Sequence, residues 1–191
     1  MKKSIIASAA MLLSASLLTG CVIHVGDASA LEGSDFSSIL GNIDIAEGKH
    51  AGDISSVNGN VEISDHGGAD EVSIVNGNLE MGSHVSVRNI DIVNGDISAA
   101  SHLNVLKGVE TVNGNVTLPT QSKIGGSVET VNGDITAVDT TIEKHIKTLN
   151  GDITLSGSSH VLGDIVYKKS ESAWARNQTT NLPYRLVHRL L

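Results

Sequence analysis

From Ile39 to Tyr167 one short pattern returns at nearly constant spacing, and a chain built this way has few folds open to it. The clearest unit is Ser55-Ser56-Val57-Asn58-Gly59-Asn60-Val61-Glu62-Ile63. It is followed by Val75-Asn76-Gly77-Asn78-Leu79, Val93-Asn94-Gly95-Asp96-Ile97, Val112-Asn113-Gly114-Asn115-Val116, Val131-Asn132-Gly133-Asp134-Ile135 and Leu149-Asn150-Gly151-Asp152-Ile153. A degenerate first copy is Ile39-Leu40-Gly41-Asn42-Ile43. Copies begin at 39, 57, 75, 93, 112, 131 and 149, at intervals of 18, 18, 18, 19, 19 and 18 residues.

Within a unit the apolar residues fall in pairs two apart: Leu79 and Met81, Val85 and Val87, Ile90 and Ile92. Two is the strand period, and Gly, Asn, Asp, Ser and His between the pairs are turn formers. Three short strands and three corners in 18 or 19 residues predict one coil of a three-sided, single-stranded parallel β-helix. About seven coils, each rising ~4.8 Å, give a column roughly 30–35 Å long. A strict hexapeptide period would indicate a left-handed helix; the intervals of 19 break it, so a right-handed solenoid is expected. The pairs Asn58-Gly59, Asn76-Gly77, Asn94-Gly95, Asn113-Gly114, Asn132-Gly133 and Asn150-Gly151 are expected at one corner, where glycine, and asparagine after it, tolerate positive φ. The stacked asparagines are expected to hydrogen-bond from coil to coil, as amides do in cross-β assemblies.

Composition agrees with an all-β solenoid. Aromatic residues make up 2% of the 191-residue chain and hydrophobic residues 40%, so Val, Ile, Leu and Ala must fill the interior. Between Cys21 and Tyr167 there are 20 acidic against 6 basic residues, net −14. Such a body excludes nucleic acid as the expected partner, since phosphate binding needs a basic face. With a single cysteine the chain has no internal disulfide.

The first 20 residues read as a secretory signal: Lys2-Lys3, an apolar run from Ile5 to Leu18, then small residues. Leu18-Thr19-Gly20-Cys21 resembles the lipobox of bacterial lipoproteins. That resemblance implies cleavage before Cys21, acylation of its thiol and amine, and attachment to a lipid bilayer through two or more acyl chains. Val22 at the next position, in place of the aspartate of inner-membrane retention, implies an outer-membrane location. Residues 21–38 are expected to be a lipidated tether, with Phe36 a candidate cap of the first coil. The repeat domain is expected over 39–167, with Gly163-Asp164-Ile165 in register with Lys107-Gly108-Val109. The Gly-Asn/Asp-Ile/Val units across 39–167 resemble bactofilins, the polymer-forming β-helix proteins, and are similar to adhesin-like β-helix domains of bacterial envelope proteins. The lipobox departs from the cytoplasmic bactofilin pattern.

From Lys168 onward the repeat is gone: 168–191 carries 5 basic residues against 1 acidic, with Trp174, Pro183 and Tyr184. A cap over the open coil, a tail foreign to the repeat and a basic binding segment are three readings of it.

Candidate chemistry is sparse. His66, His84 and His102 lie 18 residues apart, so their rings are expected to stack at roughly 5 Å, with Gln121 and Thr140 in the same slot further on. An imidazole row is a weak candidate for a transition metal, because a flat column lacks the convergent ligands zinc requires. Asp96, Asp134 and Asp152 suggest calcium, but Asn42, Asn60, Asn78 and Asn115 share the slot and point to a turn role. Thr117, Thr136 and Thr154 form a column suited to a strand face, with ice or sugar binding a remote alternative. Nucleophile elbows, phosphate loops and His-Glu-x-x-His are missing, so neither an enzyme nor a cofactor is expected. The expected function is a membrane-anchored envelope lipoprotein with a non-enzymatic structural or interaction solenoid, for which self-assembly into a homo-oligomer is one expectation. The alternative is a polysaccharide-binding or polysaccharide-lyase-like β-helix protein.

Overall fold

The computed structural model describes residues 22–25, 28–29 and 33–167. Cys21, the signal segment 1–20 and the tail 168–191 lie outside the described residues. The described chain is all β, with no helix, and every strand pairing is parallel. It winds as a β-solenoid of about seven turns whose strands line up in three columns.

The first face holds the strands that lead into the Asn-Gly step: Phe36–Leu40, Ile54–Asn58, the second half of Gly68–Asn76, the second half of Ser86–Asn94, Val109–Asn113, Val128–Asn132, Ile146–Asn150 and Ile165–Tyr167. The second face follows that step, from Ile43–Ile45 through Val61–Ile63, Leu79–Ser83, Ile97–Ser101, Val116–Leu118 and Ile135–Val138 to Ile153–Ser156. Two-residue strands such as Asn104–Val105, Lys123–Ile124 and Thr141–Ile142 make the third face. In Gly68–Asn76 and Ser86–Asn94 the chain stays extended through the corner, so the third and first faces belong to one 14-stranded sheet and the second face is a separate 8-stranded sheet.

Register is what holds the column together. Asn58 pairs with Asn76, Asn76 with Asn94, Asn94 with Asn113, Asn113 with Asn132 and Asn132 with Asn150. Asn therefore sits on Asn through six coils, and inward side chains stack into columns that are mostly apolar, though Ser38, Ser56, Thr111, Thr130 and Thr148 share one with Ile74 and Ile92. One runs Ile43, Val61, Leu79, Ile97, Val116 and Ile135, each at most 1% exposed. The six apolar residues read from the third unit, Leu79, Met81, Val85, Val87, Ile90 and Ile92, are all buried. A slip of one residue in any coil would turn these columns outward, which is why register is so strongly specified here.

Parallel pairing begins earlier than the repeat pattern indicates. Val22–Val25 pairs with Phe36–Leu40, and Ala28–Ser29 pairs with Ile43–Ile45. The stretch expected to be a tether thus contributes its own strands, and Phe36 lies in the core at 8% exposure. Partners in this first turn are 14 and 15 residues apart, Val22 with Phe36 and Ala28 with Ile43, so it falls outside the 18-residue period.

Candidate functional site

The Asn-Gly corner is the most elaborate feature of the surface, and it carries two ladders. In the first, each amide donates to the one below: Asn76 Nδ2 to Asn58 Oδ1 at 3.0 Å, Asn94 to Asn76 at 2.8 Å, Asn113 to Asn94 at 2.7 Å, Asn132 to Asn113 at 2.6 Å and Asn150 to Asn132 at 2.7 Å. Every inner member both donates and accepts, so the position demands an amide and is Asn in all six copies.

The second ladder, two residues on, was not foreseen from the sequence. The backbone N–H of Asn60 donates to Asn42 Oδ1, that of Asn78 to Asn60 Oδ1 and that of Asp96 to Asn78 Oδ1. Asn115, Asp134 and Asp152 continue it, each on the side chain one coil below. Only an acceptor oxygen is required here, so Asn and Asp interchange. That interchange was the signal available in the sequence. In the same bonds Asp96 and Asp134 accept through Oδ1 from the backbone N–H groups of Asn115 and Asp152, which gives these aspartates a structural role.

The glycines between the ladders are fixed by crowding. A Cβ built on Gly77, Gly95, Gly114, Gly133 or Gly151 would fall onto the carbonyl oxygen of the glycine one coil below. The asparagines do not adopt the positive φ expected of them. The corner glycines Gly41, Gly77, Gly95, Gly133 and Gly151 do, with φ between 120° and 159°, and left-handed backbone recurs at the corner between the second and third faces, at Gly48, His66, His84, His102, Gln121, Asp139 and Gly157, with φ between 46° and 67°. The slot given to Thr140 in the sequence reading belongs to Asp139, because this corner turns one residue early. Thr140 itself is buried, its hydroxyl donating to the Pro119 and Val138 carbonyls.

The three histidines share this corner and their rings stack. His66 and His84 have centroids 5.1 Å apart and planes 9° apart; His84 and His102 are at 4.1 Å and 24°. Ring-nitrogen lone pairs lie in the ring planes, so near-parallel rings aim them side by side and do not converge on one ion. Among the described residues no group of three His, Cys, Asp or Glu side chains is placed to hold a metal. An open groove beside this corner is lined by Glu47, Glu62, Asp65 and Glu80 with Ser64, Met81 and Gly82. Its charged groups are all carboxylates, and its lining holds neither an aromatic platform nor a cation to orient a sugar. Thr117 pairs with Thr136 and Thr136 with Thr154, a single column on the second face.

The first face differs from the others in what it turns outward. One column is aliphatic throughout: Ile39, Val57, Val75, Val93, Val112, Val131 and Leu149, all half-buried or exposed. Beside it run Asp91, Glu110, Glu129 and Lys147 in register. Lys147 Nζ donates to Glu129 Oε2 at 3.2 Å, and Asp91 accepts from Asn89 Nδ2 at 2.6 Å. Burial, helped by Glu110 and Glu71, lifts the Asp91 pKa from 3.8 to about 6. Glu110 is also raised, by burial first and then by Glu129. Inward of the stripe, Ser56, Thr130 and Thr148 donate their buried hydroxyls to the corner carbonyls of Gly59, Gly114 and Gly133.

Comparison with family models, with curated proteins and with solved structures finds no match for this chain. Its function must be argued from its own residues.

Proposed function

We propose that this chain is a bacterial envelope lipoprotein, anchored by acylated Cys21, whose solenoid is a non-enzymatic structural and interaction element. The observation that carries the reading is the continuous parallel pairing of the first face from Phe36 to Tyr167. Among the described residues, side chains at the corners and inside the column hold coil to coil, which supports a structural reading.

The early start of the sheet supports a specific posture. A strand begins at Val22, immediately after the cysteine, so acyl chains on Cys21 would leave from the edge of the first coil. The column would then stand on the bilayer by its N-terminal end, with the last coil furthest from the lipid. At that far end Ile153 and Leu155 are only partly buried, while their equivalents one coil below, Ile135 and Ala137, are fully covered. The strand edge of that last coil is self-complementary, which supports self-association through that end.

Expression of the full chain in a Gram-negative host with a radiolabelled fatty acid tests the reading. The label and the membrane fraction are expected for the natural chain and are lost in Cys21→Ser. Sizing of the delipidated protein across concentration tests self-association. A monomer at every concentration that is retained by one polysaccharide on a glycan array would replace this reading with the sugar-binding one.

A further inference from the structure

We propose that the first face is a dimerisation surface, on which a second copy of this chain packs side by side, aliphatic stripe against aliphatic stripe, with the two columns parallel. The inference rests on the anchored reading above, because a shared bilayer is what sets both columns parallel.

The stripe is the first reason. A solvated sheet face alternates apolar inward and polar outward residues. This face breaks the rule at the same position in seven successive coils, with Ile39 48% and Val57 37% exposed at the membrane-proximal end. Scattered apolar residues need no explanation, but a contiguous row of them marks a contact surface.

Symmetry is the second reason. A two-fold axis running along the stripe carries whatever lies on one side of it to the opposite side of the partner. The carboxylates Asp91, Glu110 and Glu129 flank the stripe on one side, and the Asn94, Asn113 and Asn132 ladder flanks it on the other. Each copy's acidic column therefore meets the other's exposed amides. An amide nitrogen has two N–H groups and the ladder uses one, so a donor is left for a carboxylate. Both copies rise by the same step, so the match repeats over the three coils of Asp91, Glu110 and Glu129, with Ser37, Ser55 and Ser73 in the same position below them and Lys147 above. The antiparallel arrangement, with the axis across the stripe, sets acid over acid and is disfavoured.

Area says where the dimer forms. Seven coils at ~4.8 Å and a width of four strand positions give roughly 450 Å² per copy, or about 900 Å² in total. That is about half of what a stable soluble complex needs. The net −14 of each body opposes contact as well. Free in solution the pair is weak. Two anchored copies are confined to one plane, already oriented, and their effective concentration rises accordingly. Other covers for the stripe are this chain's own residues 168–191, or nothing.

The experiment uses the full, acylated chain with Val112→p-benzoylphenylalanine, irradiated in phosphatidylethanolamine/phosphatidylglycerol liposomes and, at the same bulk concentration, in detergent. Circular dichroism checks that the outward substitution leaves the fold intact, and the mass of the N-terminal peptide reports acylation of Cys21. The expected result is an inter-chain product joined near Val93, Val112 or Val131 of the second copy. Its yield in liposomes should be about tenfold that in detergent, and Val93→Lys with Val131→Lys should abolish it. With Cys21 acylated, adducts to residues 168–191 of the same chain, adducts to the last coil, or no dimer would overturn the lateral surface and leave the anchor standing. An unmodified Cys21 would remove both.

Discussion

Asp91 points out of the first face, yet burial and the carboxylates of Glu110 and Glu71 lift its pKa from 3.8 to about 6. The folded chain therefore holds this proton at a pH where the unfolded chain has released it. Stability contributed by this group is present below pH 3.8, is lost as the pH rises toward 6, and stays lost above that. A shift of this size has an upper limit of about 3 kcal/mol, and solvent at the exposed side of the carboxylate reduces it to about 1 kcal/mol. Asp91→Asn should raise stability by about 1 kcal/mol at pH 7.5 and leave it unchanged at pH 4, as read from urea midpoints. An identical pH profile in the variant would show that Asp91 is not the group responsible. Glycines separate just as sharply at this scale. Gly114→Ala drives a Cβ into the Gly95 carbonyl and should cost about 2 kcal/mol or more. Gly48→Ala has open space around it and pays only for its φ of 67°, about 1 kcal/mol. Thermal melts of the two variants would rank them, and equal losses would contradict the crowding account.

At the scale of the ladders, donor and acceptor requirements can be told apart with the same substitution made two residues away. Asn76→Asp removes the donation from Asn76 Nδ2 to Asn58 Oδ1 and sets a carboxylate against that oxygen. Asn60→Asp keeps the oxygen that accepts from the Asn78 N–H. A neutral, partly solvated hydrogen bond is worth about 1 kcal/mol, so Asn76→Asp should lower the unfolding free energy by about 1–2 kcal/mol and Asn60→Asp by less than about 0.5. Chemical denaturation at neutral pH measures both, and the reverse order would refute the assignment of the ladders. The two corners also mark the reach of sequence reading. Constant period placed Asn58 through Asn150 in one file, because register in a solenoid is the period itself. It could not say why glycine follows, since the close approach of Gly114 to the Gly95 carbonyl is a contact between coils and leaves no local trace. Propensity points to positive φ at glycine and then asparagine: Gly77, Gly95, Gly133 and Gly151 adopt it and the asparagines do not, while His66, His84 and His102, which tolerate it less readily, do. The first turn, from Val22 to Leu40, was missed because it lacks Asn-Gly and has a shorter repeat. The pairing of aliphatic and acidic columns on the first face was visible as letters but acquired meaning only once three faces had been assigned.

For the whole molecule, stacking like on like means that a coil's surroundings are nearly the same whichever equivalent coil lies beneath it. Stability is then close to a sum of coils and the interfaces between neighbours. Deleting residues 113–131 tests this, because it removes one 19-residue unit and joins Val112 to Asn132-Gly133-Asp134. Asn132 would then sit over Asn94, Val128 and Ile146 of the old order would be replaced by Val109 beneath Ile146, and Thr111 would lie under Thr148. Lys147, which now holds Glu129 at 3.2 Å, would face Glu110 and keep an acidic partner. That exchange relieves Glu110, whose pKa is raised by burial and by Glu129. The shortened chain should fold, retain a strand spectrum proportional to its length and melt in one cooperative transition at a lower temperature. A loss of several kcal/mol is expected, since one interface of buried Val, Ile and Leu side chains goes with the coil, each worth about 1.5–3 kcal/mol. Removing 113–127 instead, 15 residues, breaks register and turns the core columns outward, so that chain should not fold. If both deletions behaved alike, the column would not be the additive stack that its register describes.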